Sequence, residues 1–218
     1  MKHDPFACHK WGGLNKRYQQ FPHGTRRLLD PVTGGAVAFG IDLHYENWII
    51  HRFDQDVVKL DASPAPIEVA AEEGAVLKAV AHLDLVRKSG RRELHLVCKS
   101  TEKAAGQARL ARVARALDAE LVIRPRALIR QDLVLITNLR QVRQTMTKWL
   151  GHGLELDELI LGRVAQKKLT SRASLVHGLD HCAPDLVDAR LGLLHCEGRL
   201  SIQLSKVKYG DPTIIASI

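Results

Sequence analysis

Hydrophobic positions change their spacing several times along the chain, and each change marks an expected element. Residues 1–35 hold few apolar residues between turn signals (Trp11-Gly12-Gly13, Phe21-Pro22-His23-Gly24, Asp30-Pro31-Val32-Thr33-Gly34-Gly35) and read as an extended basic arm. Ala36–Ile41 is a short apolar run, a strand or the lead into the next helix. Asp42–Phe53 reads as that helix, with Asp42 where a carboxylate suits a helix start. Asp56–Leu60, Pro66–Ala71, Leu77–Arg87 and Glu93–Lys99 have alternating or β-favouring patterns, the last two joined by the hairpin-type loop Lys88–Arg92. Lys103–Leu117 has helical spacing, Leu121–Arg124 is a short buried strand, and Arg126–Gln131 and Leu135–Leu150 are helices. The order predicts an α/β core, a mixed sheet flanked by helices. Beyond Gly151-His152-Gly153 the texture changes to three helices, Leu156–Leu169, Ser171–His177 and Pro184–Glu197. Two short strands follow, Arg199–Leu204 and Thr213–Ser217, which is the order of a winged helix. The expected domains are therefore an arm (1–35), a core (36–150) and a C-terminal domain (151–218).

Charge sharpens that division. The chain of 218 residues carries 32 Lys and Arg against 24 Asp and Glu, a formal net charge of +8. Residues 1–145 hold 23 basic and 16 acidic side chains, a net +7, and residues 146–218 hold 9 and 8, a net +1. A basic N-terminal two-thirds suggests a polyanionic partner such as duplex DNA, while a near-neutral remainder suits docking to protein. Aromatic residues make up 5%, too few for a single-strand binder built on stacking platforms. No apolar run approaches the ~20 residues that cross a bilayer. The start Met1-Lys2-His3-Asp4-Pro5 lacks an apolar signal core, and the four cysteines show no disulfide framework, so a cytoplasmic, nucleoid-associated bacterial protein is expected.

Three side chains stand out chemically. Glu46 lies on or beside the apolar face of its helix, close to Leu43, Ile50 and Phe53, where a carboxylate needs a partner or a metal. Asp84 sits mid-strand between Leu83 and Leu85 and shares a strand face with Val80, His82 and Val86. Lys99 ends an apolar strand whose one face carries Glu93, His95 and Val97. A helix glutamate, a strand aspartate and a lysine on the partner strand follow the order of the PD-(D/E)xK nucleases. In such a site carboxylates hold Mg²⁺, the ion polarises a phosphate and acidifies water, and the lysine orients that water. Each residue also has a plainer reading: a salt-bridged Glu at a core edge, a capping Asp, a Lys reaching solvent.

The stretch from Phe39 to Asn47 leading into Arg52-Phe53-Asp54-Gln55-Asp56-Val57-Val58 resembles the opening of the TnsA family, the endonuclease subunits of heteromeric cut-and-paste transposases. Ala65-Pro66-Ile67, Ala81-His82-Leu83-Asp84-Leu85-Val86, Leu96-Val97-Cys98-Lys99 and the segments Leu193–Leu200 and Pro212-Thr213 extend the resemblance across residues 36–218. The resemblance implies a restriction-endonuclease-like domain followed by a winged-helix-like one. Its expected activity is Mg²⁺-dependent hydrolysis (Mn²⁺ as substitute) of DNA phosphodiesters at the 5′ ends of a mobile element. Glu46 and Asp84 would be metal ligands, Cys98 would offer its backbone carbonyl, and Lys99 would be the catalytic lysine. Implied partners are a DDE transposase of the TnsB type and an AAA+ regulator of the TnsC type, with no membrane. Val97 departs from the pattern, standing where the wider superfamily has Glu, Asp or Gln, and His82, His95, Glu102 or Gln107 could compensate. The departure keeps open an inactive assembly factor bridging transposase, regulator and DNA. A winged-helix DNA-binding regulator is the remaining alternative.

Basic residues offer two DNA-contact surfaces: Arg109, Arg112 and Arg115 along one helix, and Arg87, Lys88, Arg91 and Arg92 at the hairpin. A solvated face or turn is about equally expected for each. The pairs Cys8-His9, His181-Cys182 and His195-Cys196 lack Cys-x-x-Cys spacing, so zinc is not expected.

Overall fold

The structure is a computed structural model that describes residues 26–62, 64, 66–70, 76–99 and 106–218. Residues 1–25 of the expected arm, with Cys8 and His9, lie outside the described residues, as do Glu102 and the expected helix start at 103–105. The chain is mixed α/β, with a mixed sheet flanked by helices. Described residues form two compact units: one from 26–30, Gly35–Trp48 and Val57–Ile129, the other from Pro31–Gly34, Ile49–Asp56 and Arg130–Ile218. That places the division after Ile129. The expected boundary lies near residue 151, and the helix before it falls in the second unit.

In the first unit, β1 (Arg26–Leu29) pairs antiparallel with β2 (Ala36–Phe39), so the end of the expected arm is a strand. Helix α1 (Asp42–Arg52) follows, then β3 (Val57–Asp61), β4 (Ile67–Ala70) and β5 (Val76–Ala79). Next come β6 (Leu83–Arg87), β7 (Arg92–Cys98), α2 (Gln107–Ala116), β8 (Glu120–Pro125) and the short α3 (Arg126–Ile129). The expected single strand Leu77–Arg87 is two strands: β5 pairs with β4 as a separate hairpin, while β6 joins the main sheet. The main sheet has the order β3-β6-β7-β8, antiparallel except for the parallel pair β7/β8, which α2 connects. Gly90 at φ +84° closes the β6–β7 turn, where Gly90 N–H donates to Arg87 O at 2.9 Å.

The two faces of β7 have different covers. Leu94 and Leu96 pack with Leu110, Val113 and Ala114 of α2 and with Ala79 and Ala81. His95, on the opposite face by strand alternation, hydrogen-bonds Asn47 of α1. The helices therefore lie on opposite sides of the sheet, and the first turns of α1 are anchored by Phe39, Tyr45 and Trp48, with ring centroids 5.2–5.9 Å apart.

The second unit is built from α4 (Leu133–Lys148), a 3₁₀ turn (Leu154–Leu156), α5 (Asp157–Lys167), β9 (Leu169–Ser171) and α6 (Arg172–Gly178). It closes with α7 (Pro184–Cys196), β10 (Leu200–Ile202) and β11 (Ile214–Ser217). Asp132 caps α4, accepting from Leu135 N–H at 2.7 Å. The expected helix Leu156–Leu169 ends early and its last residue opens β9, which makes a three-stranded antiparallel sheet with β11 in the middle. Helix α7 is buried continuously from Val187 to His195. The two charged residues of that buried span have partners: Asp188 accepts two bonds from Arg172 and one from Tyr209 Oη, and Arg190 clasps Asp157. Gly192 lets α7 meet α4, because a Cβ there would stand 2.7 Å from both Val142 Cγ1 and Met146 Sδ. Alanine normally favours a helix over glycine by about 1 kcal/mol. Here overpacking wins, and Gly192→Ala is expected to cost about 1–2 kcal/mol net, read by urea unfolding.

Candidate functional site

The sheet register decides where the expected metal ligands go. Directly opposed residues of an antiparallel pair share a face, and Asp84 opposes Leu94. Asp84 thus lies on the α2 side, away from the side where α1 carries Asn47 to His95. Both Asp84 oxygens are taken by Arg92, at 3.0 and 2.6 Å. Across β3, Asp61 stands directly opposite Asp84, a like-charge pairing that Arg92 offsets. Glu46 is buried on α1, and Lys99 follows the last residue of β7 and is exposed. Val97 is buried and brings no donor atom. The Cys98 thiol is half-buried and free, and Pro125, with no N–H to give, ends the parallel pairing opposite it. Gln107 opens α2 on its exposed side.

Mg²⁺ takes hard oxygen donors in near-octahedral geometry, usually one or two carboxylates with water. The donor set expected from the sequence does not fit it as arranged: one carboxylate is bound by a guanidinium on the far face, and Val97 supplies nothing. Among the described residues no group of three or more His, Cys, Asp or Glu could hold a metal ion.

Imidazoles and arginines fill the α1 side instead. His44 of α1 stacks on His82 with centroids 4.1 Å apart. His82 Nδ1 accepts the Val97 N–H at 2.9 Å, standing in for the strand partner that β6, starting at Leu83, no longer supplies. That bond puts the His82 proton on Nε2. Burial, and then the neighbouring His82, push His44 down to about 3, and burial lowers His82 as well, so both rings are neutral.

Beside them runs a buried chain of hydrogen bonds. Arg124 Nε donates to Asn47 Oδ1 at 3.0 Å, Asn47 Nδ2 reaches His95 Nδ1 at 3.2 Å, and His95 Nε2 reaches Glu93 Oε2 at 3.0 Å. Arg87 closes the far end, with Nε on Glu93 Oε1 at 2.6 Å. An ionised Glu93 only accepts, so His95 Nε2 carries the ring proton and Nδ1 accepts from Asn47. Burial pushes His95 down to about 4, with the Arg124 and Arg87 charges acting the same way against the pull of Glu93. Burial alone would raise Glu93, but the bonds from Arg87 and His95 outweigh it and hold the carboxyl at about 2.

The basic patches divide sharply. At the hairpin, Arg87 and Arg91 serve Glu93, Arg91 also reaches Glu120, and Arg92 serves Asp84, which leaves Lys88 exposed. Arg109, Arg112 and Arg115 are exposed along α2 while Leu110, Val113 and Ala114 face the core. Of the His/Cys pairs, His195 Nδ1 is bonded by Gln55 Nε2 at 2.8 Å, and neither Cys182 nor Cys196 is in a disulfide among the described residues. Sequence reasoning missed Asn47, Glu93 and Arg124. The available signal was polar residues at alternate positions of an otherwise apolar strand, and an arginine closing the run Leu121-Val122-Ile123.

Two outcomes follow. Below its ordinary value of 6.5 an unfolded histidine gains a proton that folded His95 refuses until about 4, so the unfolded chain binds more protons and stability falls across that window. Urea unfolding should show a lower free energy at pH 5 than at pH 7, and His95→Gln should shrink the difference. The Glu93 contribution, present above 4.5, disappears only as pH drops toward 2. Arg87→Met strips the carboxylate of its main cation and should cost about 3–5 kcal/mol in the same measurement.

No family model matches the chain, and no curated protein matches it.

Proposed function

We propose that the chain is a non-catalytic TnsA-like subunit that binds duplex DNA at the ends of a mobile element. It would link that DNA to a transposase of the TnsB type and an AAA+ regulator of the TnsC type. The observation that carries this reading is the placement of Asp84: on the sheet face away from Asn47 of α1, with both oxygens on Arg92. The order α1-β3-β6-β7-α2-β8, with one parallel pair at β7/β8, supports a restriction-endonuclease-like core. The order α5-β9-α6-α7-β10-β11, with β11 central, supports a winged-helix-like C-terminal domain, and its near-neutral charge suits protein docking. Arg109, Arg112, Arg115 and Lys88 are the side chains that would meet DNA phosphates.

The competing proposal is the metal-dependent endonuclease, with Glu46 and Asp84 as ligands and Lys99 as catalytic lysine. Glu46 on α1 and Lys99 at the end of β7 favour it, and it requires Asp84 to leave Arg92. Calorimetry with Mn²⁺ and a short duplex separates the two. The expected result is duplex binding that weakens with salt by about 0.9 log unit per log salt for each phosphate contact, and no heat of Mn²⁺ binding that depends on Glu46. The Arg109→Gln, Arg112→Gln, Arg115→Gln variant should lose about 2–3 contacts from that slope. Mn²⁺ binding abolished by Glu46→Gln or Asp84→Asn would restore the endonuclease, and failure to bind duplex at low salt would remove the DNA role altogether.

A further inference from the structure

The second unit holds a hollow of about 380 Å³ between α5 and α6, at the small end of the range for small-molecule sites. Leu159, Gly162, Arg163 and Gln166 recur on α5 at three- and four-residue spacing, and so line one wall. Gly162 makes the space, since a Cβ there would meet nothing within 4 Å. Leu175 of α6, which is buried, and Leu159, still 49% exposed, give the hollow an apolar lining. Its charge is one-sided. Glu158 accepts from Arg199 Nη2 at 2.7 Å and is thereby answered. Lys167 Nζ donates to the Ser174 hydroxyl at 3.0 Å, a neutral partner. Arg163 is half-buried, and among the described residues it makes no hydrogen bond and no ion pair. A Cβ on Gly178 would overlap Arg163 Nη1, so the bare backbone at the end of α6 sets where the guanidinium lies. A guanidinium partly withdrawn from water, with every N–H unused, is short of an acceptor.

We infer that this hollow binds a small organic acid, whose carboxylate takes the Arg163 fork and whose apolar body lies against Leu159 and Leu175. A planar guanidinium meets a carboxylate through two parallel hydrogen bonds, and Lys167 adds a second positive charge one turn along the helix. A monoanion suits the site better than a phosphate dianion, because Glu158 borders the same space. A duplex backbone is too broad to enter it, so the site has no part in the DNA-binding reading above and stands whether or not that reading holds. Gly178 is then a positioning residue, acting through Arg163.

The test is titration of the full ¹⁵N-labelled chain with benzoate, followed through the amide resonances of Gly162, Arg163 and Ser174. Saturable shifts with a dissociation constant of about 1 mM are expected, and acetate, which lacks the ring, should bind roughly tenfold more weakly. Arg163→Gln should weaken benzoate by about tenfold. Gly178→Ala keeps the charge but displaces the guanidinium, and Gly162→Leu fills the hollow while raising helix propensity, so each should weaken benzoate by a similar factor. These two are also the variants to read if Arg163→Gln melts early. Benzyl alcohol, the neutral counterpart of benzoate, should give no saturable shift. Wild-type benzoate affinity in all three variants, benzyl alcohol binding as tightly as benzoate, or no saturable shift with benzoate overturns the inference. Inorganic phosphate binding more tightly than benzoate would replace the organic acid by a phosphate and overturn it too. Tighter binding by the peptide acetyl-Leu-Glu-Leu-amide would assign the hollow to an acidic side chain of a partner protein, with the same consequence.

Discussion

A carboxylate buried in the middle of a sheet is the constraint around which the first unit is arranged. Glu93 is almost fully enclosed, and the cost of dehydrating its charge must be met by donors held in place. One comes from the end of β6, as Arg87, and one from the same face of β7, as His95. His95 then needs its second nitrogen bonded, which brings in Asn47 from α1, and the other half of that amide engages Arg124 at the end of β8. Satisfying one charge therefore ties together two strands beyond its own and the helix above them. The apolar packing of Leu94 and Leu96 on α2 secures the other side of the same strand.

The second unit meets a similar demand differently. Helix α7 runs through apolar surroundings and carries Asp188 and Arg190 within its buried length. Each is answered by a single opposite charge in fork geometry, Arg172 for the first and Asp157 for the second. Asn138 of α4 adds a neutral clamp: its amide donates to Leu204 O and Val207 O and accepts from Tyr209 N–H, which fixes the long connection between β10 and β11. Two of these arrangements meet at Tyr209, whose N–H donates to Asn138 and whose Oη donates to Asp188.

Much of the architecture is legible in the sequence because periodicity reports burial. The apolar alternation of Glu93–Lys99, the helical spacing of α2 and α4 and the proline-started α7 all appear where spacing places them. The break between β5 and β6 does not show, since the residues on both sides keep an alternating pattern while pairing with different strands. Alternation also sets the phase of Asp84 relative to Leu83 and Leu85. It does not say which face α1 will cover, and that single unknown decides whether Asp84 can meet Glu46. The sequence singles out His82 for a different role, because completing a backbone ladder depends on where a neighbouring strand begins.

The chain from Arg124 to Glu93 has a direction, because each link donates toward the carboxylate. Asn47 is the turning point, presenting an acceptor to one neighbour and a donor to the other. Exchanging its NH₂ for oxygen, as aspartate does, would leave the shape nearly unchanged and give His95 an acceptor on both sides. A ring between two carboxylates is best satisfied when both nitrogens carry protons. One substitution on α1 would thus turn a silent imidazole into an imidazolium with a carboxylate on each side of the ring.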